Sequence, residues 1–201
     1  MIRRAPILLL LFAANVATVE ARQPAPAVAD TVVYFSPWDD AEGALVAAIR
    51  EARRQVLVQA YLLTSRTIAR ELIAAHERGV DVRVLADAAQ AGRGNDRQLQ
   101  ALATAGVPVA LEDRYAAAHH KVMVVDAEAA RPVLLTGSYN FTWAAQARNA
   151  ENLLRVRGDA PLARRYAANW LRHCADAAPL PPATAVPPRL CFEGSPPRDA
   201  K

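Results

Sequence analysis

Side chains suited to phosphate chemistry are concentrated in one short stretch of the chain. Residues 118–126 read Ala-His-His-Lys-Val-Met-Val-Val-Asp, which places His119 and Lys121 two residues apart at the start of an apolar run. Side chains at this spacing on a β-strand point to the same face of the sheet. We therefore expect an imidazole that can attack phosphorus or transfer protons to lie beside an ammonium group.

A second group of polar residues follows after a turn. Residues 136–142 read Thr-Gly-Ser-Tyr-Asn-Phe-Thr. Gly137 permits a tight turn, and the Ser138 hydroxyl and the Asn140 amide can donate hydrogen bonds to phosphate oxygens. Asp126 ends the first stretch at an odd spacing from its first histidine, which directs the aspartate to the other face of a regular strand. We therefore expect Asp126 to support the strand end and not to contact substrate.

Strand and helix patterns alternate regularly around these residues. The predicted strands cover residues 31–35, 56–61, 80–86, 107–111, 122–125, 132–136 and 152–157. The predicted helices cover residues 41–54, 67–78, 95–105, 142–148 and 162–174. This alternation predicts an α/β domain whose mixed, largely parallel central sheet is flanked by helices on both faces.

The N-terminal residues have the layout of a secretory signal peptide. Two arginines precede an apolar run over residues 7–14 that is too short to span a bilayer, and small residues follow it. We predict a signal peptide over residues 1–21, with cleavage after Ala17 or Ala21. An uncleaved N-terminal anchor is the alternative.

The remaining chain is long enough for one domain. We predict a flexible lead-in over residues 22–30, a domain over 31–175 and a Pro-rich, irregular tail over 176–201. Export would make the protein periplasmic or secreted, and we expect no stable membrane insertion after the signal is removed.

The two cysteines of the chain, Cys174 and Cys191, both lie near its C-terminus. In an oxidising compartment they can form one disulfide that ties the tail to the last helix, which would stabilise the fold by about 2 to 4 kcal/mol. Two unpaired thiols are the alternative, and export makes them less favourable.

The chain is mildly basic, with a formal net charge of +4 and a pI near 9.4. This charge is compatible with a polyanionic partner but does not require one. Of the 24 basic residues only Lys121 and Lys201 are lysines. The central polar stretch thus keeps a compact ammonium group in a chain that otherwise uses arginine.

The central residues resemble the H-x-K-x4-D and G-S-x-N signature of the phospholipase D superfamily. The residues that carry this resemblance are His119, Lys121, Asp126, Gly137, Ser138 and Asn140. The flanking residues and the downstream Asn-Ala-Glu-Asn at 149–152 look most like the small bacterial secreted endonucleases of that superfamily. The similarity extends over residues 33–172. One departure is the segment between Asp126 and Gly137, whose ten residues exceed the spacing common in the family.

The resemblance implies a covalent mechanism with separate roles for five residues. His119 would attack phosphorus and form a phosphohistidine, and a second histidine would protonate the leaving oxygen and then activate water. Lys121, Ser138 and Asn140 would hold the non-bridging oxygens and stabilise the charge of the transition state. Glu151 would accept a hydrogen bond from the other imidazole nitrogen and orient the ring. The family chemistry uses no cofactor and no metal, and we expect neither.

The mechanism needs two motif histidines, but this chain has one motif. The resemblance therefore implies a homodimer with the active site at its twofold interface. The expected substrate is nucleic acid that is recognised through its phosphate backbone. DNA is the expected form, and whether RNA is also a substrate is left open. A phospholipase D that acts on phospholipid headgroups and a non-catalytic nucleic-acid-binding relative are the alternatives.

The other histidines and nearby aromatics have simpler interpretations. His120 takes the variable position of the motif and is expected to point away from the site, while His76 and His173 fall on helices as surface or packing residues. The aromatic residues that alternate after the strand end can stack on bases or fill the core, and the core is the commoner role. They are Tyr139, Phe141 and Trp143.

Overall fold

One mixed eight-stranded sheet runs through residues 29–180, the part of the chain that the computed structural model describes. Its strands are β1 (Asp30–Ser36), β2 (Gln55–Ala60), β3 (Asp81–Asp87), β4 (Val109–Glu112), β5 (Lys121–Val125), β6 (Val133–Gly137), β7 (Glu151–Arg157) and β8 (Ala178–Pro179). Their order across the sheet is β1-β7-β6-β5-β2-β3-β4-β8. The predicted signal peptide and most of the predicted lead-in lie outside the described residues.

The sheet is mixed, as predicted, but the expectation that it is largely parallel is wrong. Parallel pairing joins β2 to β3 and β3 to β4, where helical crossovers return the chain in the same direction. The other five strand pairings of the described chain are antiparallel. Strands β5, β6 and β7 are neighbours in both the sequence and the sheet, so each reverses the direction of the one before it.

Helices cover both faces of the sheet, as predicted. They are α1 (Ala41–Glu51), α2 (Arg66–Glu77), α3 (Ala88–Gln90), α4 (Arg97–Thr104), α5 (Trp143–Ala147) and α6 (Ala160–Asp176), with a π-helical turn over Ala91–Asn95. Leu45, Leu72 and Leu102, from α1, α2 and α4, share one apolar core with the sheet. Helix α6 covers the opposite face, where buried Trp170 donates from its indole Nε1 to the Val58 carbonyl oxygen at 2.8 Å. Within the described range, none of these helices combines the length and hydropathy that a bilayer crossing requires.

Asp126 connects the end of β5 to the start of β2. Its carboxylate accepts hydrogen bonds from the backbone N–H groups of Arg53, Arg54 and Gln55 at 2.9, 2.7 and 2.8 Å. These amides therefore bond to the carboxylate of the residue that follows β5, and α1 ends at Glu51 instead of continuing to residue 54 as predicted. These hydrogen bonds are consistent with the role in supporting the strand end that the sequence predicts for Asp126.

The C-terminal end of the described chain forms more regular structure than the sequence predicts. Helix α6 continues to Asp176, and Ala178–Pro179 pairs with β4. The Leu180 N–H also donates to the carbonyl oxygen of Val109, at 2.8 Å. Cys174 is buried and disulfide-bonded. Its predicted partner Cys191 lies outside the described residues.

Candidate active site

The aromatic ring of Tyr61 brings His119 and Lys121 together. Strand β5 pairs with β2 so that Lys121 lies opposite Ala60, and the next residue, Tyr61, donates its N–H to the His120 carbonyl oxygen at 2.7 Å. The Tyr61 and His119 ring centroids are 4.3 Å apart, and the Lys121 Nζ lies 4.6 Å from the Tyr61 ring centroid. The imidazole and the ammonium therefore share one side of the strand, as the spacing predicts.

Lys121 is nearly withdrawn from water, with 5% of its surface exposed. Its Nζ donates to the His119 carbonyl oxygen at 3.0 Å. Burial lowers the pKa of Lys121, and the negative charge of Glu151 acts in the opposite direction. An ammonium in such a poorly hydrated position interacts more strongly with a neighbouring phosphate than one in open solvent does.

Ser138 and Glu151 form a hydrogen-bonded unit where β6 ends and β7 begins. The Ser138 Oγ donates to Glu151 Oε2 at 2.6 Å, and Asn149 Nδ2 donates to Glu151 Oε1 at 3.0 Å. The Asn152 N–H in turn donates to the Ser138 Oγ at 3.1 Å. Neither of these Glu151 bonds is to His119, so the ring-orienting role of Glu151 stays a prediction.

Glycine is required at position 137 for a reason other than the tight turn that the sequence predicts. It is the last residue of β6, and a Cβ atom at this position would lie 2.2 Å from the carbonyl oxygen of Asn152 on β7. The Ser138 N–H donates to that same oxygen at 3.1 Å. Close approach of two strands, and not turn conformation, therefore requires glycine here.

Asn140 has an amide oxygen that lacks a partner in the described structure. Its Oδ1 is buried and makes no hydrogen bond there. Because an unsatisfied buried polar atom costs about 1 to 3 kcal/mol, such an atom indicates a group that is completed by a ligand or another chain. This oxygen only accepts hydrogen bonds and so cannot bond to a phosphate oxygen; the predicted donation from the Asn140 amide nitrogen to phosphate stays a prediction.

A cleft of about 610 Å³ opens between the start of β5, the end of β6 and helix α6. His119 and Lys121 line one side of the cleft, together with Gly137. Residues of α6, including Arg165 and Arg172, line the other side. The predicted nucleophile therefore lies in an open and partly basic cleft.

Residues 45–173 match the family model described as "Cardiolipin synthase, PLD-like domain". The chain belongs to the phospholipase D superfamily.

Curated relatives in this superfamily carry two different names. The chain is 39% identical over 127 residues to a phospholipase D of Rickettsia felis, covering 61% of this chain and 58% of that protein. It is 34% identical over 116 residues to a mitochondrial cardiolipin hydrolase of Xenopus tropicalis, covering 58% of this chain and 53% of the relative. The chain thus spans little more than half the length of these relatives.

A solved structure of the superfamily shares the fold over nearly its whole length. The phospholipase D family member Nuc of Salmonella typhimurium superposes with a TM-score of 0.71 at 28% identity. The alignment covers 76% of this chain and 99% of Nuc. The single sheet with helices on both faces is therefore the phospholipase D-like fold predicted from the motif.

The superfamily motif forms two local clusters in this chain. One contains His119 and Lys121 against Tyr61, and the other joins Ser138 to Glu151. The carboxylate of Glu151 connects them, since its charge acts on the ammonium of Lys121.

Three residues that position the motif were missed by sequence reasoning. The Gln90 Nε2 donates to the Tyr61 hydroxyl at 2.7 Å, which fixes the ring against His119. Asp87, at the end of β3, accepts hydrogen bonds from the N–H groups of Gln90 and Ala118 at 2.8 and 2.7 Å. The available signal was the position of Tyr61 and Asp87 at the carboxyl ends of two adjacent parallel strands, where site residues collect. The segment after Asp87, which lies between a predicted strand and a predicted helix, forms α3 and the π-helical turn.

His120 points to the α6 side of the sheet and is not stacked with His119. Its ring lies edge-on to that of His173, with centroids 5.0 Å apart, and His173 Nδ1 lies 2.5 Å from Glu112 Oε1. Burial, followed by the proximity of His173, lowers the pKa of His120. His173 therefore has the packing role expected of it, whereas His120, which was expected to point away from the site, is among the residues that line the cleft.

The three aromatic residues after β6 have different environments. Tyr139 and Phe141 are fully buried, as their core interpretation predicts. Burial raises the pKa of Tyr139 well above its usual range. Trp143 is 60% exposed, and Phe35 and Trp38 are 49% and 83% exposed. We call these three side chains the aromatic patch; it adjoins the site because Phe35 pairs with Asn152 in the sheet.

Proposed function

We propose that this chain is a phosphodiester hydrolase that acts as a sugar-nonspecific endonuclease on DNA, and also on RNA. The observation that carries the proposal is the arrangement of His119 and the buried Lys121 on one face of β5, held by the Tyr61 ring in an open cleft. An open cleft admits a polymer that continues past the scissile bond. The superposition also covers 99% of Nuc, a bacterial member of the phospholipase D family, and this similarity further supports the proposal.

The proposed reaction proceeds in two displacements. A ring nitrogen of His119 attacks phosphorus, the bond from phosphorus to the leaving oxygen breaks, and a second imidazolium gives its proton to that oxygen. The second imidazole then takes a proton from water, whose oxygen attacks phosphorus and releases His119. Lys121 provides a positive charge beside the non-bridging oxygens in both steps. No metal ion takes part, so the reaction is expected to proceed in EDTA.

The second imidazole comes from another copy of the chain in this proposal. One motif supplies one nucleophile, and a twofold axis beside the cleft brings two motifs together. The aromatic patch supports this arrangement, because exposed aromatic surface next to a site favours protein contact. The Ser36 Oγ, adjacent to the patch, donates to the Asn149 carbonyl oxygen at 3.3 Å, which links this surface to the Glu151 cluster. We propose that the patch is buried in a homodimer.

A phospholipase D that acts on lipid headgroups is the second candidate. The aromatic patch also favours it, since exposed tryptophan side chains suit the interface of a bilayer. The relatives named phospholipase D and cardiolipin hydrolase support it as well. The two functions share the same reaction and differ in the leaving group.

We also infer export to the periplasm or to the medium. The disulfide of Cys174 supports this inference, because disulfides persist in oxidising compartments and are rare in the cytosol. Cell fractionation of the full chain expressed with its own N-terminus tests it, and retention of all the protein in the cytosol would contradict it.

One set of assays separates the candidates. Purified protein is incubated in EDTA with supercoiled plasmid, with a labelled RNA and with phosphatidylcholine or cardiolipin vesicles. We expect plasmid nicking and RNA cleavage, and no lipid headgroup release above background. The His119→Ala variant should lose at least about a thousandfold in rate, whereas His76→Gln on α2 serves as the matched control.

The opposite outcomes are equally informative. Headgroup release without nucleic-acid cleavage would establish the lipid candidate. Retention of DNA by an inactive wild type would indicate a non-catalytic binding protein. Equal rates for the wild type and His119→Ala would remove His119 as the nucleophile. An active monomer in gel filtration at the assay concentration would overturn the homodimer.

A further inference from the structure

The cleft wall formed by α6 presents polar residues at helical spacing. Arg165, Asn169 and Arg172 are four and three residues apart, lie on one face of α6 and line the cleft that holds His119 and Lys121. With a rise of about 1.5 Å per residue, the two arginines are displaced along the helix axis by about 10 Å. This face of the helix therefore carries two separated positive charges along the cleft.

The positive charge of this face is not neutralised by neighbouring carboxylates. The Arg172 Nη2 donates to the neutral amide oxygen of Asn169 at 3.4 Å. No ion pair of residues 29–180 includes Arg165 or Arg172, and both residues are exposed. The adjacent Arg164 behaves differently, because its Nε lies 3.1 Å from Glu128 Oε2.

We propose that Arg165 and Arg172, with Asn169 between them, form a phosphate track for the nucleic-acid strand that flanks the scissile phosphate. Along one strand, phosphates follow at intervals of about 3.4 Å of axial rise, so the two arginines are about three phosphates apart. Two positive charges about 10 Å apart match a chain of phosphates better than the single phosphate of a lipid headgroup. This proposal rests on the proposed function, which places the scissile phosphate at His119. It adds that the substrate is a polymer, which the track contacts through its phosphate backbone.

Phosphate contacts of this kind have a measurable salt signature. Each contact adds about 0.7 to the slope of log affinity against log salt for single strands and about 0.9 for duplex DNA. The double variant R165Q/R172Q should therefore reduce the slope by about 1.4 to 1.8. The factor by which affinity falls between about 50 and 200 mM salt should be about tenfold smaller for the double variant than for the parent protein. The change should be the same for oligonucleotides of different sequence, because backbone contacts carry no base information.

The test uses oligonucleotide binding by the full chain with His119→Ala, so that the ligand is not consumed. Single-stranded and duplex 20-mers are titrated at several salt concentrations for this parent, for the added R165Q/R172Q changes and for the added Arg164→Gln change. Arg164→Gln is the control, since it makes the same substitution on the same helix, removing one positive charge at a residue paired with Glu128. We expect the slope to fall with R165Q/R172Q and to be retained with Arg164→Gln.

Activity assays on protein that retains His119 distinguish a failure of the phosphate track from a failure of the proposed function. We expect R165Q/R172Q to lower the ratio of kcat/KM for the oligonucleotide to that for bis(p-nitrophenyl) phosphate by about tenfold. An unchanged slope and ratio in a wild type that cuts nucleic acid would overturn the track and leave the function intact. A lowered slope in a protein that cuts no nucleic acid would support the track and reject the function. Equal effects of Arg164→Gln, absence of oligonucleotide binding, or an effect confined to anionic vesicles would each overturn the track.

Discussion

The hydroxyl of Ser138 donates a 2.6 Å hydrogen bond to the carboxylate of Glu151. The serine of the G-S-x-N motif therefore directs its proton to a protein group, although the motif alone assigns it to phosphate. The Glu151 charge acts on Lys121, and the Asn152 N–H bonds the serine oxygen from the other side. Ser138 thus fixes the carboxylate whose charge acts on the ammonium of Lys121.

Replacing Ser138 with alanine should lower kcat more than it raises KM. The change removes one charge-assisted hydrogen bond of about 1.5 to 3 kcal/mol, which corresponds to a loss of about ten- to a hundredfold if the carboxylate position matters in the transition state. Steady-state kinetics with bis(p-nitrophenyl) phosphate measure this split. Ser138→Thr keeps the hydroxyl and should recover most of kcat. Thr104→Ala, at an exposed residue of α4, is the control. A pure increase in KM would instead assign Ser138 to substrate binding.

Tyr61 should be required for its ring more than for its hydroxyl. Tyr61→Leu removes the surface that contacts both His119 and Lys121, so both groups gain freedom, and kcat should fall by about ten- to a hundredfold. Tyr61→Phe keeps the ring and loses the bond from Gln90, so it should retain most of the activity. Rates with a small phosphodiester and near-ultraviolet circular dichroism check both variants. Equal losses in the two variants would show that the hydroxyl, and not the ring, positions the site.

The sequence predicts the parts of the site that are set by local spacing. His119 and Lys121 share a face because strands have a period of two, and Asp126 takes a structural position for the same reason. The neighbour of each strand depends on long-range pairing, and so the antiparallel contact that brings Tyr61 to His119 could not be read from local patterns.

The polar face of α6 was not recognised for a related reason. Its arginines have the appearance of an ordinary solvated helix surface in the sequence. They gain a role only because α6 packs over the part of the sheet where β5 begins and β6 ends, so that Arg165 and Arg172 line the same cleft as Lys121. Likewise, the spacing of Ser138 and Glu151 contains no information about their hydrogen bond, because it depends on the pairing of β6 with β7.

Asp126 should contribute to stability and not to chemistry. Asp126→Ala leaves three backbone N–H groups without their carboxylate partner and places alanine at a φ of 50°, so the free energy of unfolding should fall by about 2 to 4 kcal/mol. Asp126→Asn retains one acceptor oxygen, which can keep the bonds from Arg54 and Gln55, and asparagine tolerates this backbone conformation, so its loss should be smaller. Urea denaturation measures both variants against exposed Asp113→Ala. A stable Asp126→Ala protein with greatly reduced kcat would place Asp126 in the reaction instead.

The packing of His120 should make stability depend on pH. The charged and titratable groups around its ring are His173 of α6, Glu112 of β4 and the neighbouring His119 and Lys121, and burial gives the largest contribution to its lowered pKa. Because the pKa is lower in the folded chain than the usual value of about 6.5, unfolding takes up a proton between these two values. The contribution of His120 is therefore complete above about pH 6.5 and is lost as the pH falls toward the folded pKa. Urea titrations at about pH 7.5 and 5.5 should show a smaller loss of stability in His120→Gln than in the wild type, whereas an identical or larger loss would show that another group controls this range.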